Sequence, residues 1–147
     1  MLEDFIKLYS RDLDRLKNEI ESFQQEDHLW QITGSVKNSA GNLCLHLVGN
    51  LKTYIGKNLG YVSYLRDRDS EFSLKNIAKE NLTQQVEETK DIVVTTLEKI
   101  QKEQLGERYM EDVLGYEMTT GFFLVHLAAH VSYHLGQINY LRRILEY

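Results

Sequence analysis

The amino-acid sequence predicts an all-α protein, a four-helix bundle, and three observations carry that prediction. Hydrophobic residues recur at helical steps in four long stretches, proline is absent, and no stretch alternates apolar and polar residues as a half-buried strand would. Average proline usage is about 5%, most of it in loops and turns. A chain of 147 residues with none, rich in Leu, Glu, Lys and Gln, therefore reads as helical. Its length suits one domain, residues 1–147, with a core large enough to need no disulfide.

The first helix covers residues 1–23. Ile6, Tyr9, Leu13, Leu16, Ile20 and Phe23 fall at steps of three and four, and charged residues fill the gaps. From Gln24 to Lys37 the pattern fails, and Thr33-Gly34-Ser35 reads as loop. Asn38 or Ser39 caps a second helix running to about Lys57, with Ser39, Leu43, His46, Asn50 and Thr53 on its seam. A long polar connection, about 57 to 73, follows, and long loops in compact domains are often functional. A third helix, roughly Leu74 to Lys102, carries Leu82, Val86, Val93, Leu97 and Ile100 on one side. Gln104 to Met118 holds Gly106 and Gly115 and reads as irregular structure, and a fourth helix runs from Thr119 or Thr120 to Leu145.

Composition narrows the function classes. A net charge of −5 argues against a nucleic-acid partner, which calls for a basic face. The single cysteine, Cys44, excludes an internal disulfide and fits a reducing cytosol, and no signal peptide is visible, so a cytoplasmic location is expected. Met118 to Leu141 contains no Asp, Glu, Lys or Arg, yet its histidines and amides make it too polar for a membrane span. It is expected to be buried on more than one side, and a homodimer through it follows as an expectation.

Four of the five histidines lie in the second and fourth helices. His126, His130 and His134 are spaced by four, and residues four apart stack on one helical face with Cβ atoms about 5–6 Å apart. Two imidazoles so placed can chelate one ion. The fourth-helix seam reads Phe123, Leu127, His130, His134, Gln137, Leu141, Ile144, which puts His130 and His134 at core positions and His126 off the line. With His46 on the second seam, three imidazoles face one interior and can supply three nitrogens to a divalent metal, leaving room for water or substrate. His126 stays open as an alternative ligand, a hydrogen-bond partner of a ligand, or a packing residue. His28, in its loop, reads as a surface or hydrogen-bonded histidine.

The string His126-Leu-Ala-Ala-His130-Val-Ser-Tyr-His134-Leu-Gly136-Gln137-Ile resembles the signature of the DinB/YfiT-like superfamily of metal-dependent enzymes, usually written His-x-x-x-His-x-Gly-Gln. Gly41-Asn-Leu-Cys-Leu-His46-Leu-Val-Gly-Asn50-Leu and Arg66-Asp-Arg-Asp-Ser-Glu71-Phe72 resemble one branch of it. The resemblance spans nearly the whole chain. It implies His46, His130 and His134 as ligands of zinc or nickel, and a transferase that uses a low-molecular-weight thiol, or a hydrolase, acting on a small molecule. His126 matches a position that is often histidine there without being the usual ligand. A non-catalytic, metal-binding or stress-associated bundle is the competing reading.

Other residues divide between roles. Gln137 and Asn50 can hydrogen-bond a ligand imidazole or serve packing. Arg66, Asp67, Arg68, Asp69 and Glu71 can form a substrate-anion clamp or a solvated ion-paired loop. Cys44, two residues before His46, points to another face and reads as a small buried apolar residue. Tyr133 and Tyr140 read as packing or dimer contacts, and Trp30 as a core anchor beneath the first loop.

Overall fold

A computed structural model describes residues 1–147, and it is all helical with no strands. The helices are α1 (Leu2–Ser22), α2 (Ala40–Leu51), α3 (Arg68–Ser73), α4 (Lys79–Lys99) and α5 (Thr120–Leu145). α2 continues through a π-helical turn, Lys52–Lys57, and a last α turn, Asn58–Gly60. Short 3-10 turns at Glu26–Trp30 and Lys102–Gly106 interrupt the two loops that the sequence leaves irregular.

Local chemistry sets the boundaries. The Ser39 hydroxyl accepts from the Asn42 N–H and caps α2, and Thr119 accepts from Phe122 and caps α5. Tyr61 adopts a left-handed backbone (φ 55°), which ends the second helix and reverses the chain. The third long helix begins at Lys79, not at Leu74 as the sequence suggests, because Asn76 is also left-handed (φ 60°) and breaks the helical path.

Cross-helix contacts give the topology. Asp14 pairs with Lys90 and Lys17 with Glu87, so α1 and α4 are antiparallel. Tyr9 donates to the Leu124 carbonyl at 2.6 Å, and Glu19 accepts from Asn139 and Arg142, so α1 and α5 run parallel. Lys52 pairs with Glu88, and Gly56 and Gly60 lie against Ile92 and Thr96, so α2 and α4 are parallel. His46 meets His130 while Tyr54 meets Phe123, so α2 and α5 are antiparallel. The order is up, down, down, up, with α1 diagonal to α2 and α4 diagonal to α5.

Two parallel neighbours joined in sequence require the chain to travel back the length of the bundle. Residues 61–78 do this as a strap lying on α2: Arg66 sits over Tyr54, Glu71 against Gly49 and Leu74 beside Asn42. The strap covers the side of α2 that α4 and α5 leave open, and every residue from Ala40 to Leu51 is buried. α2 thus has no single seam, contrary to the sequence reading.

The fourth helix departs from expectation in the opposite sense. Its core line is Phe123, Leu124, Leu127, Val131, Ile138 and Leu141, so His130 and His134 are half-buried at the edge of the core and Gln137 is exposed. Phe122, Val125, Tyr133, Tyr140 and Ile144 face solvent. The helix expected to be buried on more than one side presents an apolar outer face. No helix is long and apolar enough to cross a membrane.

Candidate metal centre

α2 and α5 bring His46, His130 and His134 together, each offering one ring nitrogen, with these nitrogens all within 4.8 Å of one another. The His46 and His130 Nε2 atoms are 3.2 Å apart, and those of His134 and His130 are 3.1 Å apart. Nitrogens about 2.0–2.1 Å from a tetrahedral zinc lie roughly 3.3 Å from each other, so these two pairs already have the spacing of ligands to one ion.

Two of the rings are aimed by their other nitrogen. His46 Nδ1 is 3.0 Å from Glu71 Oε1, and His134 Nδ1 is 2.7 Å from Gln137 Oε1. Both partners are acceptors, and Glu71 lies nearer His46 Nδ1 than the Arg66 Nη2 donor at 3.5 Å, so in the neutral rings Nδ1 carries the hydrogen and Nε2 presents its lone pair to the cluster. Burial, then the neighbouring His134, His46 and His126 and the Arg66 charge, push the His130 pKa down to about 3. Burial also lowers that of His134, outweighing the Gln137 contact that raises it. Both shifts favour the neutral ring, the form that binds a metal.

Glu71 is buried although acidic. Burial opposes its ionisation, but hydrogen bonds from His46 and Arg66 and the Arg66 charge outweigh this and hold the carboxyl below its usual range. Arg66 grips it at both oxygens, Nε to Oε2 at 2.8 Å and Nη2 to Oε1 at 2.9 Å. Arg66 therefore borders the cluster, holding Glu71 and lying 3.5 Å from His46 Nδ1, with its guanidinium 5.6 Å from the Tyr54 ring. Arg68 is exposed, over the outer face of Phe72, which itself packs 4.9 Å from the His46 ring. Asp67 caps α3, and Asp69 is exposed.

The remaining candidates fall around this cluster. His126 stacks between Phe123 and His130, with ring centroids 5.9 and 6.3 Å away, and makes no hydrogen bond to the cluster. Asn50 is buried one turn beyond His46. Its Oδ1 and the Nδ1 of His130 are the buried side-chain polar atoms left without a partner. Cys44 is fully buried, and burial raises its thiol pKa to about 12, which leaves it inert. His28 Nδ1 contacts Glu146 at 2.9 Å, and Trp30 is half-buried against Gly41.

Sequence reasoning grouped Glu71 with the charged loop and missed its contact with His46. Gly49 carries the only local hint, because a Cβ there would overlap the Glu71 carboxylate. A groove of about 530 Å³ opens beside His134, walled by Lys37, Leu43, Tyr133, Gln137 and Tyr140 among others.

The fold is that of the DinB-like helical bundles. A DinB-like protein from Bacillus cereus ATCC 10987 superposes with a TM-score of 0.78 at 16% identity, over 97% of this chain and 91% of that one. A conserved protein from Enterococcus faecalis does so at 0.73 and 18%, over 93% and 94%. Within that class the chain belongs to the family described as "Protein of unknown function (DUF1572)", whose model matches residues 2–147. No curated protein matches it in sequence.

Proposed function

We propose that His46, His130 and His134 hold one divalent metal ion, zinc or nickel, and that the chain is a metal-dependent transferase or hydrolase acting on a small molecule, with a low-molecular-weight thiol as the favoured co-substrate. The observation that carries this reading is the convergence of three Nε2 atoms, two of them presented as lone pairs by Glu71 and Gln137. A divalent ion held there supplies Lewis acidity, lowering the pKa of a thiol or water so that a nucleophile forms at neutral pH.

The chain's own residues would do the rest. The half-buried His130 and His134 leave the centre reachable from solvent, whereas His46, shielded by Phe72, closes its inner side. The adjoining groove offers Leu43 and Leu141 to an apolar group and Lys37 to an anionic one. We further propose that the chain pairs with a second copy through the outer face of α5. Tyr133 and Tyr140 belong to both the groove and that face, so a second copy would help to wall the groove.

Elemental analysis of protein made without a histidine tag tests the centre. About one ion per chain is expected, lost in His46→Ala and His130→Ala, and wild-type protein without stoichiometric metal would sink the reading. Transfer of a thiol to an electrophile by metal-loaded protein, and its loss on chelation, tests the reaction. The competing reading, an ion that only fixes the bundle, predicts a large drop in thermal stability on chelation with no exchangeable ligand position.

A further inference from the structure

The strap is more than a return path, because it carries a carboxylate to the back of one imidazole. We propose that Glu71 is the positioning residue of the histidine cluster: clamped by Arg66 and admitted by the absent side chain of Gly49, it fixes His46 with Nδ1 protonated and Nε2 turned to His130.

Four observations meet here. Glu71 Oε1 is 3.0 Å from His46 Nδ1, so one carboxylate oxygen is committed to the ring. Arg66 binds both oxygens at 2.8 and 2.9 Å, which removes the carboxylate's freedom to rotate away. Any Cβ at Gly49 would collide with Oε2, so the position opposite Glu71 must be bare for the carboxylate to reach the ring. Finally, Asn42 donates to the backbone carbonyls of Glu71 and Leu74 at 2.9 and 2.8 Å, which pins the main chain that carries Glu71. Oε1 is thus shared between His46 and Arg66 while Oε2 is held by Arg66, so the carboxylate is engaged from both sides.

The consequence for metal rests on the reading above. A hydrogen-bonded partner behind a ligand histidine sets its tautomer and raises its basicity, and losing such a partner typically weakens metal binding by about 10–100-fold. The strap would then control affinity from behind without touching the ion.

The test reads the tautomer first, without metal. Long-range proton–nitrogen NMR of the imidazoles, at mildly alkaline pH, should show His46 as the Nδ1–H form in the wild type. Glu71→Ala and Gly49→Ala should move it toward a mixture, and Glu71→Gln, whose amide oxygen still accepts, should restore it. Val86→Ala, a core truncation on α4, should lower stability and leave the tautomer unchanged. Cobalt(II) affinity by chelator competition should fall about 10–100-fold in Glu71→Ala and Gly49→Ala and less in Glu71→Gln. A wild-type His46 in the Nε2–H form overturns the proposal even when the variants fail to fold. So does a folded Glu71→Ala that keeps both the tautomer and the cobalt affinity. A wild type with the expected tautomer that binds no cobalt overturns the metal reading and upholds the positioning role.

Discussion

α2 and α5 are both built from charge-free sequence, Asn38–Leu51 and Met118–Leu141, yet they end in opposite environments. α2 is buried all round because the chain returns over it, whereas α5 keeps Tyr133 and Tyr140 at 66% and 65% exposure. Lack of charge therefore signals a surface that must be covered, without saying by what. In α2 the cover is the strap in the same chain. In α5 nothing in the chain supplies it, and this asymmetry is what motivates the proposed second copy.

The largest expected effect separates the two helices outright. Leu47→Ala, in the fully buried α2, should cost about 2–5 kcal/mol in urea denaturation. A loss below about 1 kcal/mol would mean that α2 is not packed as described.

Removing the cover rather than the core should cost less. Asn42→Ala deprives two strap carbonyls of their donor, a loss of about 1–3 kcal/mol. Proteolysis within residues 61–78 should quicken while cleavage elsewhere keeps its rate, and unchanged proteolysis would show that the strap is held by other means.

An acid-side effect probes the far end of α5. Burial opposes ionisation of Glu146, but the N–H groups of Gln25 and Gln24, with His28, hold its pKa below the usual range. A folded-state pKa below the unfolded one contributes stability above the ordinary carboxylate range, and that stability is lost as pH falls through the lowered value. Glu146→Gln should cost about 1–2 kcal/mol near neutrality and flatten the acid limb of the stability curve. An unaltered acid limb would remove Glu146 from the account.

The smallest effect on the chain is expected on the outer face of α5. Tyr133→Glu with Tyr140→Glu should change folding stability by about 0.5 kcal/mol or less, as surface substitutions do. In sedimentation equilibrium the same pair should convert dimers to monomers, and a wild type monomeric at micromolar concentration would remove the second copy.

Periodicity located four long helices because residues such as Leu13, Leu16 and Ile20 must repeat with the helical turn to reach a core. It also brought His46, His130 and His134 to one place, since two of them are one turn apart and the third shares an interior-facing helix. It misplaced the start of α4 because the left-handed Asn76 leaves no mark on hydrophobic spacing. It misjudged the burial of α5 because only one edge of a cluster needs to touch the core. Glu71 was invisible as a partner of His46 because twenty-five positions separate them and only the path of the strap joins them.

That path has a kinetic consequence. No two adjacent helices of the bundle are joined by a short turn: α1 leads to the diagonal α2, α2 reaches its parallel neighbour α4 only through the strap, and α4 leads to the diagonal α5. A helical hairpin, the cheapest nucleus for a bundle, is therefore absent, and the first productive contact must close a long loop. The chain should fold more slowly than an up-and-down bundle of equal size.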